Sequence, residues 1–230
     1  LVSLLIFESL NRSNIKFSFK LVSKEKISKM VKYSLQVMLC AVGWELMFNL
    51  NSIFIKYFLG LEQVAFYSVG RTIVQAFTFL PLAITTIMLP KASKNKNKAL
   101  ISKYTKYAVS INLILSFIGL FFLLVLGKYI INLIFGADYL PAYDVLLYLS
   151  LGQIFIASYL IYGSVWQGIG KPIIPSLIIL SAAVINIAGN IILIPSYGIV
   201  GASLSTAISS FIAFAVSIFM FKKNEKTITN

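Results

Sequence analysis

The sequence predicts an all-α membrane protein of about six transmembrane helices. Three observations predict it. The 230 residues are 59% hydrophobic, with a mean hydropathy of +0.90. Only 12% are charged, where a soluble domain carries about 25%, and a soluble fold of this length cannot hide so much apolar surface. The apolar residues are also grouped in stretches of roughly the 20 residues that cross a ~30 Å hydrocarbon core as helix.

Taken in order, residues 1–7 are apolar and lack a charged leading region, so they read as the tail of a membrane span rather than a signal peptide. The expectation is a chain that is a fragment, with the start of that span upstream. Residues 8–32 form a basic linker in which Ile15, Phe17, Phe19, Leu21 and Val22 alternate with Lys. That pattern suits a connector at the membrane surface. Six spans follow, at 33–58, 64–89, 107–126, 145–167, 173–194 and 199–221, and together they make the transmembrane lobe 33–221. Residues 222–230 form a tail. Gly60, Pro90, Gly127, Pro141, Gly170, Pro172, Pro195 and Gly198 punctuate the ends. Two links are long, 90–106 and 127–144, and the second has an apolar start at 129–135 that reads as a short interfacial piece. Pro81 falls within the second span and is expected to kink it.

The cations sort by side. Of 20 Lys and Arg, 17 fall in the linker, in 90–106, at Lys171 and in the tail. The opposite side holds Lys56 and Lys128, and Arg71 lies within a span. The positive-inside rule then places the basic side in the cytoplasm. The net charge of +13 is therefore a topology signal, with some attraction to anionic lipid added. Nucleic acid is not expected as a partner, because the Lys runs lack interleaved aromatics or a binding module.

The same composition argues against an enzyme. The chain has no His and one Cys, Cys40, which removes His-based metal sites and Ser-His-Asp chemistry. No cofactor or metal is expected. A glycan polymerase or acyltransferase would need a reactive cluster, and the outer link 127–144 supplies only Lys128, Asp138 and Asp144.

Ionisable groups at membrane depth cost ~2.5–3.5 kcal/mol on insertion scales and mark function by default. Glu45, Asn49, Ser52 and Lys56 recur at helical spacing on one face of the first span, and Tyr67, Arg71, Gln75 and Thr78 do so on the second. Both stripes should face protein or water. At 1.5 Å per residue Glu45 and Arg71 differ in depth by ~9 Å, so they either pair at full reach or hold a water or anion between them. Asn49 lies closer to the depth of Arg71. The set Arg71, Glu45, Asn49, Lys56, Gln75 and Tyr67 forms the candidate binding cavity. Asn186 and Asn190, four residues apart, read as interhelical hydrogen-bonding groups. Trp166 reads as an interface anchor, and the small residues of 201–213 as close helix packing.

Five stretches in order resemble a known family. They are KYSLQVML at 32–39, FYSVGRTIVQAFTFLPLAITTIMLPKAS at 66–93, FGADYLPAYDVLL at 135–147, WQGIGK at 166–171 and YGIVGASLS at 197–205. The chain resembles the C-terminal half of Wzx-type polysaccharide flippases, in the superfamily shared with lipid II flippases and MATE antiporters. The resemblance implies one six-helix lobe of a two-lobe transporter, with the N-terminal lobe of the same protein as its missing partner. It implies export of a lipid-linked oligosaccharide across a bacterial cytoplasmic membrane by alternating access. It also raises Arg71 as a contact for the substrate's phosphate, since guanidinium grips phosphate bidentately. A MATE-like antiporter of organic cations and a non-transporting scaffold are the alternatives. Arg71 and Lys56 beside a lone Glu45 disfavour a cationic cargo.

Overall fold

A computed structural model describes residues 23–95 and 97–229, with side chains given for all of these but 98 and 224–229. The expected span tail 1–7 and most of the linker lie outside the described residues. The chain divides into two units between Lys32 and Tyr33, inside the first helix. The described part of the first unit is helical from Lys24, with Lys29 Nζ 2.7 Å from Glu25 Oε1 one turn away.

The second unit is all helix apart from short turns. We number the helices α1 (Lys24–Leu59), α2 (Leu61–Ala76), α3 (Phe79–Lys94), α4 (Lys98–Phe135) and α5 (Ala142–Gly168), with a short 3₁₀ turn at Ala137–Tyr139. The remaining helical run, Ile173–Thr229, is broken at Gly198, whose φ of 61° and ψ of −144° are non-helical. We call its halves α6 (173–197) and α7 (199–229).

That break is a hairpin. Ser205 Oγ donates to the Asn186 carbonyl at 2.7 Å, whereas 19 residues of continuous helix would separate them by ~28 Å. Glycine is needed at the corner because its backbone enters the left-handed side of φ. Four helical runs are long and apolar enough to cross a membrane, the bent pair α2–α3 passes the same test when its two helices are taken together, and the hairpin divides the longest run into two. Each of the six expected spans falls on one of these helical segments.

The bend between α2 and α3 is 47° and falls at Phe77–Thr78. Pro81 has no N–H to give the Phe77 carbonyl and its ring crowds that group, so the ladder fails one turn upstream of the proline. The backbone tightens there, Phe77 N to Val74 O and Thr78 N to Gln75 O both at 3.0 Å.

Boundaries differ from the hydropathy reading in three places. The helix that carries the first span begins at Lys24, inside the expected linker. The link expected over 90–106 contracts to 95–97, with the Asn97 side chain accepting from Leu100 N at 3.1 Å to start α4. The piece expected to lie at the interface, 129–135, continues α4. Hydropathy falls where a helix leaves the membrane, but a helix ends only where its backbone is broken, and Lys is a good helix former. At 38 residues, α4 is ~57 Å long, nearly twice the ~30 Å thickness of a hydrocarbon core.

The most enclosed helix is α5, with 67% of its most apolar stretch buried. Its small residues let neighbours approach. A Cβ at Gly152 would stand 3.1 Å from the Ala207 Cα of α7, and one at Gly168 would be 2.6 Å from the Leu89 carbonyl of α3. Two apolar clusters fill the halves of the bundle. One gathers Met47, Met88, Ile156, Tyr159, Trp166 and Ile179. The other gathers Ile55, Tyr67, Leu123, Ile131, Leu146 and Ile194. Trp166 is 1% exposed, with its ring 6.1 Å from that of Phe221. It is a core aromatic rather than the expected interface anchor, because the C-terminal turns of α7 fold over it.

The same contacts sort the ends. Gly168 lies against Leu89 and Ala92, Tyr33 Oη donates to the Gln167 carbonyl at 3.0 Å, and Phe221 covers Trp166. Lys91, Lys94, Lys171, Lys222 and Lys223 thus share one end. At the other, Lys128 Nζ stands 5.0 Å from the Tyr143 ring centroid.

Candidate functional site

The face of α1 opposite its core positions carries the polar stripe. Gly43, Met47, Asn51 and Ile55 are buried, so Glu45, Asn49 and Lys56, about half a turn away, stay exposed. Gly43 holds α1 against α6, where a Cβ would meet Ile179 Cγ2 at 2.8 Å. Gly70 does the same for α2 against α5, 2.8 Å from Val145 Cγ1. Each close approach seats its helix on the core, and the two polar stripes meet where Arg71 reaches Asn49.

Arg71 is half-buried and its Nη2 donates to Asn49 Oδ1 at 2.9 Å. The Asn49 amide nitrogen donates in turn to Glu45 Oε2. Glu45 and Arg71 therefore do not touch, and the carboxamide fills the ~9 Å of depth between them. The arrangement keeps a guanidinium and a carboxylate in one hydrogen-bonded chain while most of the five guanidinium donors remain for another acceptor. Gln75 is exposed one turn from Arg71 on α2, and Lys56 is exposed two turns from Asn49 on α1. The face carries two cations and one anion.

Tyr67 is placed elsewhere. It is 1% exposed, and its hydroxyl accepts from Asn51 Nδ2 at 2.8 Å. Helical spacing explains the split. Tyr67 is four residues from Arg71 but three and seven from Gly70 and Val74, which are buried. It joins the buried stripe and leaves the open face to Arg71 and Gln75.

The tyrosine belongs to a polar cluster that sequence reading missed, because Asn51 lies on the core face of α1 amid apolar neighbours. Its presence at the four-residue spacing of Met47 and Ile55 was the available signal. Asn51 Nδ2 also donates to Thr206 Oγ1 at 2.9 Å, and Asn190 Nδ2 donates to Asn51 Oδ1 at 2.6 Å. The Asn186 amide is 3.2 Å from Thr206 Oγ1. Oriented so that both its ends are satisfied, its nitrogen donates to Asn51 Oδ1 at 2.9 Å. Asn51, Asn186 and Asn190 are all fully buried. The cluster fastens α1, α2, α6 and α7 together, the interhelical role expected of Asn186 and Asn190.

Comparison with known proteins follows this geometry. Residues 1–144 match the sequence profile described as polysaccharide biosynthesis protein. An uncharacterized membrane protein of Methanocaldococcus jannaschii is 30% identical over 95% of this chain and 43% of its own length. A multidrug-resistance MATE-family transporter of the MOP superfamily, solved facing outward, superposes with a TM-score of 0.81 at 18% identity, over 99% of this chain and 54% of its own. The lipid II flippase MurJ, in an inward closed conformation, gives 0.70 at 18% identity, over 96% of this chain and 48% of its own. The chain spans less than half the length of the curated relatives it matches. The fold is that of one half of these transporters, and the chain belongs to the polysaccharide biosynthesis protein family.

Proposed function

We propose that this chain is one lobe of a flippase for lipid-linked oligosaccharides, and that Arg71 receives the substrate's phosphate. The carrying observation is the Arg71–Asn49–Glu45 chain on a membrane-embedded face that the lobe's own helices leave open. An exposed guanidinium chain is costly against lipid, so this face suits a water-filled cavity closed by a second lobe of the same protein. Asn49 fixes the guanidinium at one edge and leaves its planar fork for a phosphate. Glu45 balances the charge of the empty site. Release of the substrate then leaves a neutral pair rather than a bare cation. No bond is made or broken, and movement of the two lobes would expose the site to each side in turn. The shared basic end favours the cytoplasm for Lys91, Lys171 and the C-terminal tail, in a cell membrane.

The likeness to a MATE-family transporter keeps a second reading, antiport of small organic cations coupled through Glu45. Arg71 and Lys56 on the same face count against a cationic cargo. The full-length protein in proteoliposomes distinguishes the two. A flippase moves a fluorescent lipid-linked oligosaccharide between leaflets and leaves a fluorescent organic cation untransported. The reverse result would replace the proposal with antiport.

A further inference from the structure

At the basic end of the lobe, α3 and α4 enclose a cleft of about 710 Å³ lined by Ile87, Lys91, Lys94, Asn95, Leu100 and Tyr104, among others. Its wall changes character along its length. Lys91, Lys94 and Asn95 stand at the basic end, and Ile87, one turn back along α3 from Lys91, is the apolar residue that leads toward the spans. Ile87 is 60% exposed, so the apolar end of the cleft opens on the outside of the lobe.

The cations here have no anions of their own. No Asp or Glu occurs between Glu62 and Asp138, and neither Lys91 nor Lys94 has a carboxylate within ion-pair distance among the described residues. Lys91 is held in place instead, its Nζ 4.2 Å from the centroid of the Tyr104 ring. Lys94 follows three residues later on the same helix face. One ammonium group held over an aromatic ring, with a second three residues along and an apolar residue one turn back, suits a ligand that is a phosphate at one end and hydrocarbon at the other.

We propose that this cleft seats one anionic phospholipid of the bilayer, its phosphate between Lys91 and Lys94 and an acyl chain running along Ile87 toward the spans. The site is separate from the Arg71 face, on other helix faces and at one end of the spans, and it does not depend on what the lobe transports. A free anion would use the lysines but not the apolar end, and a zwitterionic lipid would use the apolar end but gain less from the lysines. Each lysine near a surface phosphate contributes about fivefold in affinity, so losing both weakens binding roughly 25-fold.

The test is native mass spectrometry of the full-length protein in detergent, titrated with phosphatidylglycerol and, in separate arms, with phosphatidylcholine and inorganic phosphate. The expected result is one tightly retained phosphatidylglycerol, much weaker phosphatidylcholine and no displacement by millimolar inorganic phosphate. The exposed double variant Lys91→Gln with Lys94→Gln binds that lipid roughly 25-fold more weakly, while Lys128→Gln at the opposite end retains it. Equal retention of the two lipids, or unchanged binding by the double variant, would overturn the proposal. Displacement by inorganic phosphate would assign the lysines to a soluble anion instead.

Discussion

Arg71 on α2 and Glu45 on α1 share one hydrogen-bonded chain without touching, because the Asn49 carboxamide accepts from the first and donates to the second. A direct ion pair would use the carboxylate to occupy much of the guanidinium fork. The intervening amide takes one donor and leaves the cation available, which is the property a phosphate site requires.

The buried amide cluster should carry stability rather than transport. Asn51→Leu removes the partner of the Tyr67 hydroxyl, Thr206 and Asn190 together. Each orphaned buried group costs about 1–3 kcal/mol, and interhelical hydrogen bonds in membranes average nearer 0.6. The expected outcome is a loss of about 1–3 kcal/mol, read as a lower thermal unfolding temperature in detergent and lower membrane abundance. Ser52→Ala, one residue along and outside the cluster, is the comparison and should change neither. An Asn51→Leu protein as stable as wild type would show that the cluster holds nothing together.

Close helix approach makes two glycines unequal. At Gly70 a Cβ would be 2.8 Å from Val145 Cγ1, 3.0 Å from the Leu146 nitrogen and 3.1 Å from the Ala142 carbonyl. Gly70→Ala should therefore overpack the α2–α5 contact at a cost of about 1–3 kcal/mol. At Gly163 the nearest atom is Pro175 Cβ at 3.5 Å, and Gly163→Ala should be tolerated or slightly stabilising, as alanine is the better helix former. Thermal unfolding of the two variants side by side checks the ranking, and a reversed order would contradict the packing described.

Much of this architecture is legible in the sequence, for physical reasons. Hydropathy marks where a segment must be in lipid, so each of the six expected spans falls on a helical segment. Pro81 marks the bend because a missing N–H is visible in one letter. Helix ends beyond the membrane are not legible, since the Lys-rich turns around Lys103 and the apolar turns around Leu133 differ in polarity but not in helicity. The polar stripe of Glu45, Asn49 and Lys56 is legible from spacing alone. The burial of Tyr67 and the hidden role of Asn51 depend on which neighbour each face meets, and spacing three and spacing four point to different faces of the same helix. Trp166 was misread for the same reason, since its cover comes from α7, 55 residues away at Phe221.

Sidedness is open to labelling. In a full-length protein with Cys40→Ser, a cysteine at Ser93, on the exposed end of α3, should resist an impermeant thiol reagent applied to intact cells and react once the cells are opened. A cysteine at Asp138, in the exposed turn after α4, should react from outside. Labelling of position 93 from outside would reverse the assignment of the basic end to the cytoplasm.

The most direct measurement is glycan export by the full-length protein in a flippase-deficient strain, with membrane abundance read in the same cells, for Arg71→Lys, Arg71→Ala and the pair Arg71→Ala with Glu45→Ala. A charge-assisted contact is worth about 1.5–3 kcal/mol, or roughly 10- to 150-fold. Phosphate recognition by Arg71 predicts export falling in the order wild type, Lys, Ala, by at least about tenfold for Ala, at unchanged abundance. It also predicts that removing Glu45 does not restore what Arg71→Ala loses. Export by Arg71→Ala at the wild-type level, or recovery in the double variant, would contradict it and leave Arg71 as the structural counterion of Glu45.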